Sequence, residues 1–234
     1  MTNYQRIKTI VGDYFDAIEN ATPDTVTDVL KTFTSDNYLW RGVYPFREQQ
    51  GAQAAADVFW APLMKSLTRM QRRQDIFIGG ENEVTSGEIW VMSMGHFMGL
   101  FDAEYLGMRP TGKIMNIRYA EFNCVENGKI TKTGLFLDLL GAMDQAGCYP
   151  LPPSTGKHFV YPGPRNHDGL LFEDAAPEEL RRYAEELQRQ IKAVKGIKKI
   201  ELHGVQPRVV HIDMPDERLA QYGLSVAQVW NQLS

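Results

Sequence analysis

The sequence predicts an α+β fold, with helices first and a strand meander after them. Three observations predict it. Apolar residues recur at helical spacing in three segments before residue 68. Three strand-like runs then follow almost back to back, Glu88–Phe101, Lys113–Val125 and Lys129–Leu139. The turns Met108-Arg109-Pro110-Thr111-Gly112-Lys113 and Glu126-Asn127-Gly128-Lys129 separate them.

In chain order, Tyr4–Asn20 places Ile7, Ile10, Val11, Tyr14, Phe15 and Ile18 on one helical stripe. Thr22-Pro23-Asp24 starts a second helix that ends at Phe33, with Ser35-Asp36-Asn37 as the break. Tyr38–Tyr44 is short, aromatic and extended. Ala52–Leu67 is a third helix carrying Val58, Phe59, Trp60, Leu63, Met64 and Leu67. Met70–Glu83 reads as a strand with a turn at Gly79-Gly80, and the three runs above complete the sheet. A strongly bent antiparallel sheet wrapped around helices suits this order. It leaves an apolar cone open at one end, a pocket for a small hydrophobic molecule.

After a short helix that stops at Gly147, composition changes. Tyr149–Asp174 holds Pro150, Pro152, Pro153, Pro162 and Pro164, too many breakers for a regular element. It reads as an extended arm lying on the first domain or on a partner subunit. Glu178–Val194 is a charged amphipathic helix, followed by strands at Lys199–His203 and Arg208–Met214 and two more short helices. The expected domains are 1–148 (cone), 149–177 (arm) and 178–234 (helix–strand module).

Composition excludes several classes. The chain has 234 residues, 43% hydrophobic and 23% charged, with a net charge of −4. That is a globular balance with no basic footprint for nucleic acid. Cys124 and Cys148 lack metal-ligand spacing and read as buried free thiols in a reducing compartment. His158, His167, His203 and His211 are scattered, so no metal is expected, and no cofactor motif is present. No secretory leader and no apolar run of membrane-spanning length is visible, so a cytoplasmic protein is expected.

Asp138 is the leading candidate for chemistry. It closes the third run among Phe136, Leu137, Leu139 and Leu140, and alternation sets it on one face with Ile130, Lys132, Gly134 and Phe136. A carboxylate in an apolar cone has a raised pKa and can exchange protons with carbon acids. The alternative is a structural acid tied to Arg118. His96 shares a face with Trp90, Met92, Met94 and Met98. It is either a proton shuttle in a pocket or a packed histidine. Arg118 and Glu121 fall on opposite strand faces, so only one can enter the cone. Arg118 can clamp a substrate carbonyl or hold Asp138 by a structural ion pair. Trp40 and Tyr44 at the cone's mouth can stack on a flat ring, or simply fill the core.

Four motifs extend the reading. They are Trp40-Arg41-Gly42-Val43-Tyr44-Pro45-Phe46, then Gly95-His96-Phe97-Met98-Gly99 leading to Pro110-Thr111-Gly112-Lys113. Arg118-Tyr119-Ala120-Glu121-Phe122 with Gly128-Lys129-Ile130 follows, and last Asp138 with Gln145 and Gly147. In this order, residues 1 to about 176 resemble the SnoaL-like polyketide cyclase family, whose fold is that of nuclear transport factor two. The resemblance implies an acid/base role for Asp138 in an intramolecular aldol closure, and a homodimer built on the sheet. Residues from about 178 resemble part of the porter domain of RND-family efflux transporters. The stretch that carries this is Val194–Gly204, with Val209–Met214 and Arg218–Ser225. Without a membrane helix such a fragment cannot pump, so a fusion with its seam near Pro177–Leu180 is implied.

Two functions follow as expectations. One is a cofactor-free cyclase or isomerase with Asp138, His96 and Arg118 catalytic and Trp40, Tyr44, Trp90, Met92, Met94 and Phe136 lining the substrate. The other is a module that only binds a ligand or dimerises.

Overall fold

Ile7, Val11, Tyr14, Phe15 and Ile18 form the buried stripe of α1 (Asn3–Glu19), as their spacing requires. The computed structural model describes residues 3–82, 84–85, 87–152, 169–172 and 177–192. It divides into two compact units, Met1–Ala175 and Ala176–Ser234.

In the first unit α1 is followed by α2 (Val26–Phe33), β1 (Thr34–Gly42) and β2 (Glu48–Gln50). Then come α3 (Gly51–Ala55), a π-helical turn Ala56–Trp60 and α4 (Ala61–Ser66). The strands β3 (Leu67–Glu81), β4 (Ile89–Phe101), β5 (Ile114–Glu126) and β6 (Lys129–Leu137) lead to α5 (Leu139–Gln145). The six strands make one sheet in the order β2-β1-β6-β5-β4-β3. Only β1 and β6 run parallel; the other neighbours are antiparallel. The unit is therefore α+β, with α1 to α4 packed on the sheet.

One face of β4 and β5 meets the helices. Val91, Ser93, Phe97, Tyr119, Glu121 and Asn123 are buried there, beside Tyr14, Leu30, Phe59 and Trp60 from the helical side. The even-numbered side chains, Trp90, Met92, Met94 and His96 among them, stand on the opposite face.

Two boundaries differ from expectation. α2 ends at Phe33 as expected, but Ser35-Asp36-Asn37 is already part of β1, where the strand was expected to begin at Tyr38. The end of α2 is closed by the Thr34 hydroxyl, which donates to Leu30 O at 2.7 Å. Gly79-Gly80 is no turn either. β3 passes straight through it, paired with Val91 and Trp90. A Cβ on Gly79 would stand 3.2 Å from Lys8 Cγ, so the bare glycine makes room for α1.

β3 also carries two register shifts against β4, between Thr68 and Gln71 and between Gln74 and Ile76. Each bulge inserts one residue and reverses which side chains face inward. Between them Arg72 stands opposite Phe97 on the buried face and Arg73 opposite His96 on the other. Gly95 lies against the second bulge. A Cβ there would sit 1.9 Å from Arg73 O, so only glycine fits.

Of the Pro-rich arm, the described residues 169–172 lie along the edge of β3. Phe77 N donates to Gly169 O at 2.8 Å, Leu171 N to Phe77 O at 2.9 Å, and Lys8 Nζ to Leu171 O at 2.9 Å. Cys124 is buried as expected, whereas Cys148, just past the turn that ends α5, is exposed.

In the second unit the described element is α6 (Pro177–Lys192), braced by Arg181 Nε donating to Glu185 Oε1 at 2.8 Å, one turn along. The porter-like stretch from Val194 onward, and His158, His167, His203 and His211, lie outside the described residues. Among the described residues no helix is long and apolar enough to cross a membrane.

Candidate functional site

His96, Arg118 and Asp138 do come together, but on the face of the sheet turned away from the helices. His96 and Arg118 are directly paired across β4 and β5, and Asp138 N donates to Arg118 O at 2.9 Å. The second β3 bulge adds Asp75, whose Oδ2 lies 3.6 Å from His96 Nδ1. Burial pushes His96 below the usual imidazole range. Asp75 works against that fall, Arg118 and Arg73 add to it, and Asp138 opposes it.

Asp138 itself departs from the expected environment. Its side chain is exposed, not held in an apolar hollow. It is the N-cap of α5, its Oδ1 accepting from Gly141 N at 2.8 Å. The cause is local: the strand ends at Leu137, and the free amides of the next helix take the carboxylate.

The expected substrate-lining set divides in the same way. Trp90, Met92 and Phe136 line one open apolar groove of about 610 Å³, with Ile78 and Phe122 beside them. This groove is on the outer face, and Phe136 is 59% exposed. Met94 is half-buried on that face. Trp40 is not at a mouth: it is fully buried and stacked on Phe59 with ring centroids 5.3 Å apart. Tyr44 is 77% exposed, with the Arg47 guanidinium 5.8 Å from its ring.

The helix-facing side of the sheet holds a different constellation. Arg72 and Glu121 form a buried ion pair, Nη1 to Oε2 at 2.8 Å, with both side chains under 5% exposed. The guanidinium lies 3.8 Å from the Phe15 ring centroid and 4.8 Å from those of Phe97 and Tyr119. Phe97 and Tyr119 stack on each other at 4.4 Å. Burial opposes the Arg72 charge most strongly of any one cause, but Glu121, Tyr119 and Tyr14 together outweigh it, and Arg72 stays a cation. Glu121 Oε1 accepts from Asn123 Nδ2 at 3.1 Å.

Around this pair, among the described residues, the Tyr14 hydroxyl, Trp60 Nε1 and Arg72 Nη2 make no well-formed hydrogen bond, although the Trp60 indole approaches the Tyr14 oxygen and the Arg72 guanidinium approaches Tyr119. Burial lifts the Tyr14 phenol far above the ordinary tyrosine range, with Tyr38 and Glu121 adding to it, so it remains a neutral donor. A buried donor left unpaired costs about 1–3 kcal/mol, so such groups ordinarily meet water or a ligand. The set offers protons and one carboxylate.

Sequence reasoning missed Arg72 and gave Glu121 a strand face but no role. The alternation Tyr119, Glu121, Asn123 did show that Glu121 and Arg118 cannot share a face, and the buried partner is Glu121. Arg72 was hidden by the bulges. The described groups closest to a metal set are Glu88, Cys124 and Glu126, with ligand atoms within 4.8 Å of one another. Burial pushes the Cys124 thiol up to about 11, and Glu88 already accepts from Lys132, Thr85 and Trp90, so the trio is poorly suited to an ion.

No family model matches the chain, and no curated protein matches its sequence. Solved structures do. A candidate SnoaL-like polyketide cyclase from Jannaschia sp. CCS1 is 18% identical at a TM-score of 0.47, covering 65% of this chain and 98% of its own. IdmH, a candidate polyketide cyclase from Streptomyces antibioticus, is 12% identical at 0.49, covering 59% and 96%. A protein of ketosteroid isomerase-like fold from Catenulispora acidiphila, in complex with trimethylamine, is 12% identical at 0.45, covering 62% and 97%.

Proposed function

We propose that the first unit carries out cofactor-free proton-transfer chemistry on a small, largely apolar, oxygenated molecule, of the isomerase or cyclase kind its motifs resemble. The observation that carries this reading is the buried Glu121 carboxylate paired with Arg72, with the buried Tyr14 hydroxyl and Trp60 indole near it. Glu121 takes a proton from carbon next to a substrate carbonyl; the C–H electron pair forms the C=C bond of an enolate, and the carbonyl π pair moves onto the oxygen. Arg72 Nη2, the Tyr14 hydroxyl and Trp60 Nε1 receive the developing oxyanion. Returning the proton at another carbon gives an isomer. Attack of the enolate carbon on a second carbonyl of the same molecule, with protonation of the new alkoxide, gives a ring.

A second reading keeps His96, Arg118 and Asp138 as the acid/base set. What favours it is His96, buried and neutral beside Asp75, with Arg118 and Asp138 at hand. One assay separates the two. Small cyclic ketones and polyketone mimics are incubated with the protein in deuterated water, and exchange of their α-protons is followed by NMR. Loss of exchange in Glu121→Gln, with Asp138→Asn and His96→Gln unchanged, supports the inner site. The reverse pattern moves the chemistry to the outer cluster. Asn caps a helix nearly as well as Asp, so Asp138→Asn removes charge without removing the cap. Probes that bind without exchanging leave only a ligand-holding module.

A further inference from the structure

We propose that Asn123, Thr133 and Tyr38 form a one-way chain of hydrogen-bond donors that fixes the Glu121 carboxylate, which makes Tyr38 a positioning residue three bonds away. The proposal rests on Glu121 being the acid/base group of the inner site. It extends that site onto β6 and β1.

The chain is continuous. Asn123 Nδ2 donates to Glu121 Oε1 at 3.1 Å, Thr133 Oγ1 to Asn123 Oδ1 at 2.6 Å, and the Tyr38 hydroxyl to Thr133 Oγ1 at 2.8 Å. Asn123 and Thr133 are register partners on β5 and β6. Tyr38, Glu121 and Asn123 are fully buried and Thr133 is 2% exposed, so bulk water does not compete for these bonds.

Its direction follows from the chemistry of the groups. An ionised carboxylate can only accept, so Asn123 must present its NH₂ to Glu121. The Asn123 oxygen then faces Thr133 and can only accept, which commits the one hydroxyl proton of Thr133. Thr133 Oγ1 is left as acceptor, and Tyr38 must donate to it. Burial holds the Tyr38 phenol above its ordinary range, so it keeps that proton, although Thr133 works against this and Glu121 reinforces it. Every donor points toward Glu121, and each bond polarises the next.

The consequence is positional. Asn123 holds Oε1 and Arg72 holds Oε2, so the carboxylate plane is locked and its remaining lone pairs have one orientation. Tyr38 does not touch Glu121 through any of these bonds. Its effect travels through two intermediates, and neither a hydroxyl nor an amide is needed at those positions merely to fill a core.

Isotope-edited infrared spectroscopy of the ¹³C-glutamate-labelled full chain tests this without any substrate. The Glu121 carboxylate stretch is identified as the band lost in Glu121→Gln. We expect that band to shift in Thr133→Val and in Tyr38→Phe, and to return to the wild-type position in Thr133→Ser. A folded Tyr38→Phe whose Glu121 band does not move overturns the proposal, whatever its stability. So does a Thr133→Ser that shifts as far as Thr133→Val. Should Thr133→Val fail to fold, Tyr38→Phe, which keeps the ring and loses one oxygen, still decides. If the band responds as expected while Glu121→Gln retains ketone exchange, the chain of donors stands and the catalytic role of Glu121 falls.

Discussion

On β4 the even-numbered side chains Trp90, Met92, Met94 and His96 look more like a pocket lining than the odd-numbered Val91, Ser93, Gly95 and Phe97. Yet it is the odd set that meets the helices, and the even set that faces outward. The two faces differ in how they treat polar groups. The inner face takes a full ion pair and a line of hydrogen-bonded side chains out of water. The outer face carries an apolar groove in the open. Apolar content alone therefore does not say which side of a sheet is inside. The costly groups do, because a buried charge persists only where partners are built around it.

The largest effect expected from this contrast is at the inner ion pair. Arg72→Met should leave Glu121 uncompensated and cost about 3–5 kcal/mol in urea unfolding. The double variant Arg72→Met/Glu121→Met should recover much of that loss, because two packed methionines replace two desolvated charges. A double variant as unstable as the single would mean that the pair stabilises the fold beyond satisfying its own charges. Next is Gly95→Ala, which sets a methyl group against Arg73 O. It should cost about 1–3 kcal/mol of overpacking strain and displace the second bulge. Amide exchange along Arg73–Ile76 would report that displacement, and protection as in the parent would contradict it.

Outer-face substitutions should be milder. Asp138→Ala removes the N-cap of α5 and should cost about 1 kcal/mol, with Asp138→Asn close to neutral. Phe136→Ser, on a side chain already more than half exposed, should stay within about 0.5 kcal/mol. A loss of several kcal/mol at Phe136, read from the urea midpoint, would mean that another surface covers the groove in solution.

Much of the architecture was legible. Ile7 to Ile18 wrote α1, and the runs around Gly112 and Gly128 wrote β4, β5 and β6 to within two residues. Alternation set Trp90 and Met92 on one face with His96, and Phe136 on one face with Asp138; Trp90, Met92 and Phe136 line one groove, and His96, Arg118 and Asp138 share a neighbourhood. What alternation leaves open is the sign of the face. That depends on where α1 and the turn Ala56–Trp60 dock, a tertiary fact with no local signature. Arg72 was illegible for a further reason. Two bulges change the parity of β3 on either side of it, and each extra residue is one that period-two reading assigns to the wrong face. Asp138 misled because an apolar neighbourhood in sequence, Phe136 to Leu140, straddles a strand end and a helix start, where a carboxylate finds free amides.

The smallest effect expected lies at His96, and it tests whether the outer cluster is built for a neutral or a charged imidazole. Four charged groups face the ring: Asp75 and Arg73 from β3, Arg118 from β5, and Asp138 at the start of α5. Burial is the leading cause of its lowered pKa, so in the folded protein it takes up a proton later, as pH falls, than the ordinary histidine value of about 6.5 in the unfolded chain. Below about 6.5 the unfolded chain therefore binds more protons, and stability must decline with falling pH until the folded-state ring also titrates. His96→Gln removes this proton difference. Its urea midpoints should fall less steeply than the parent's on the acid side of 6.5 and run parallel to them above it. If instead the parent gains stability as pH falls through 6.5 and His96→Gln does not, Asp75 outweighs burial and holds an imidazolium. The outer face would then contain a paired charge of the same kind as the inner one, and the contrast between the faces would reduce to depth alone.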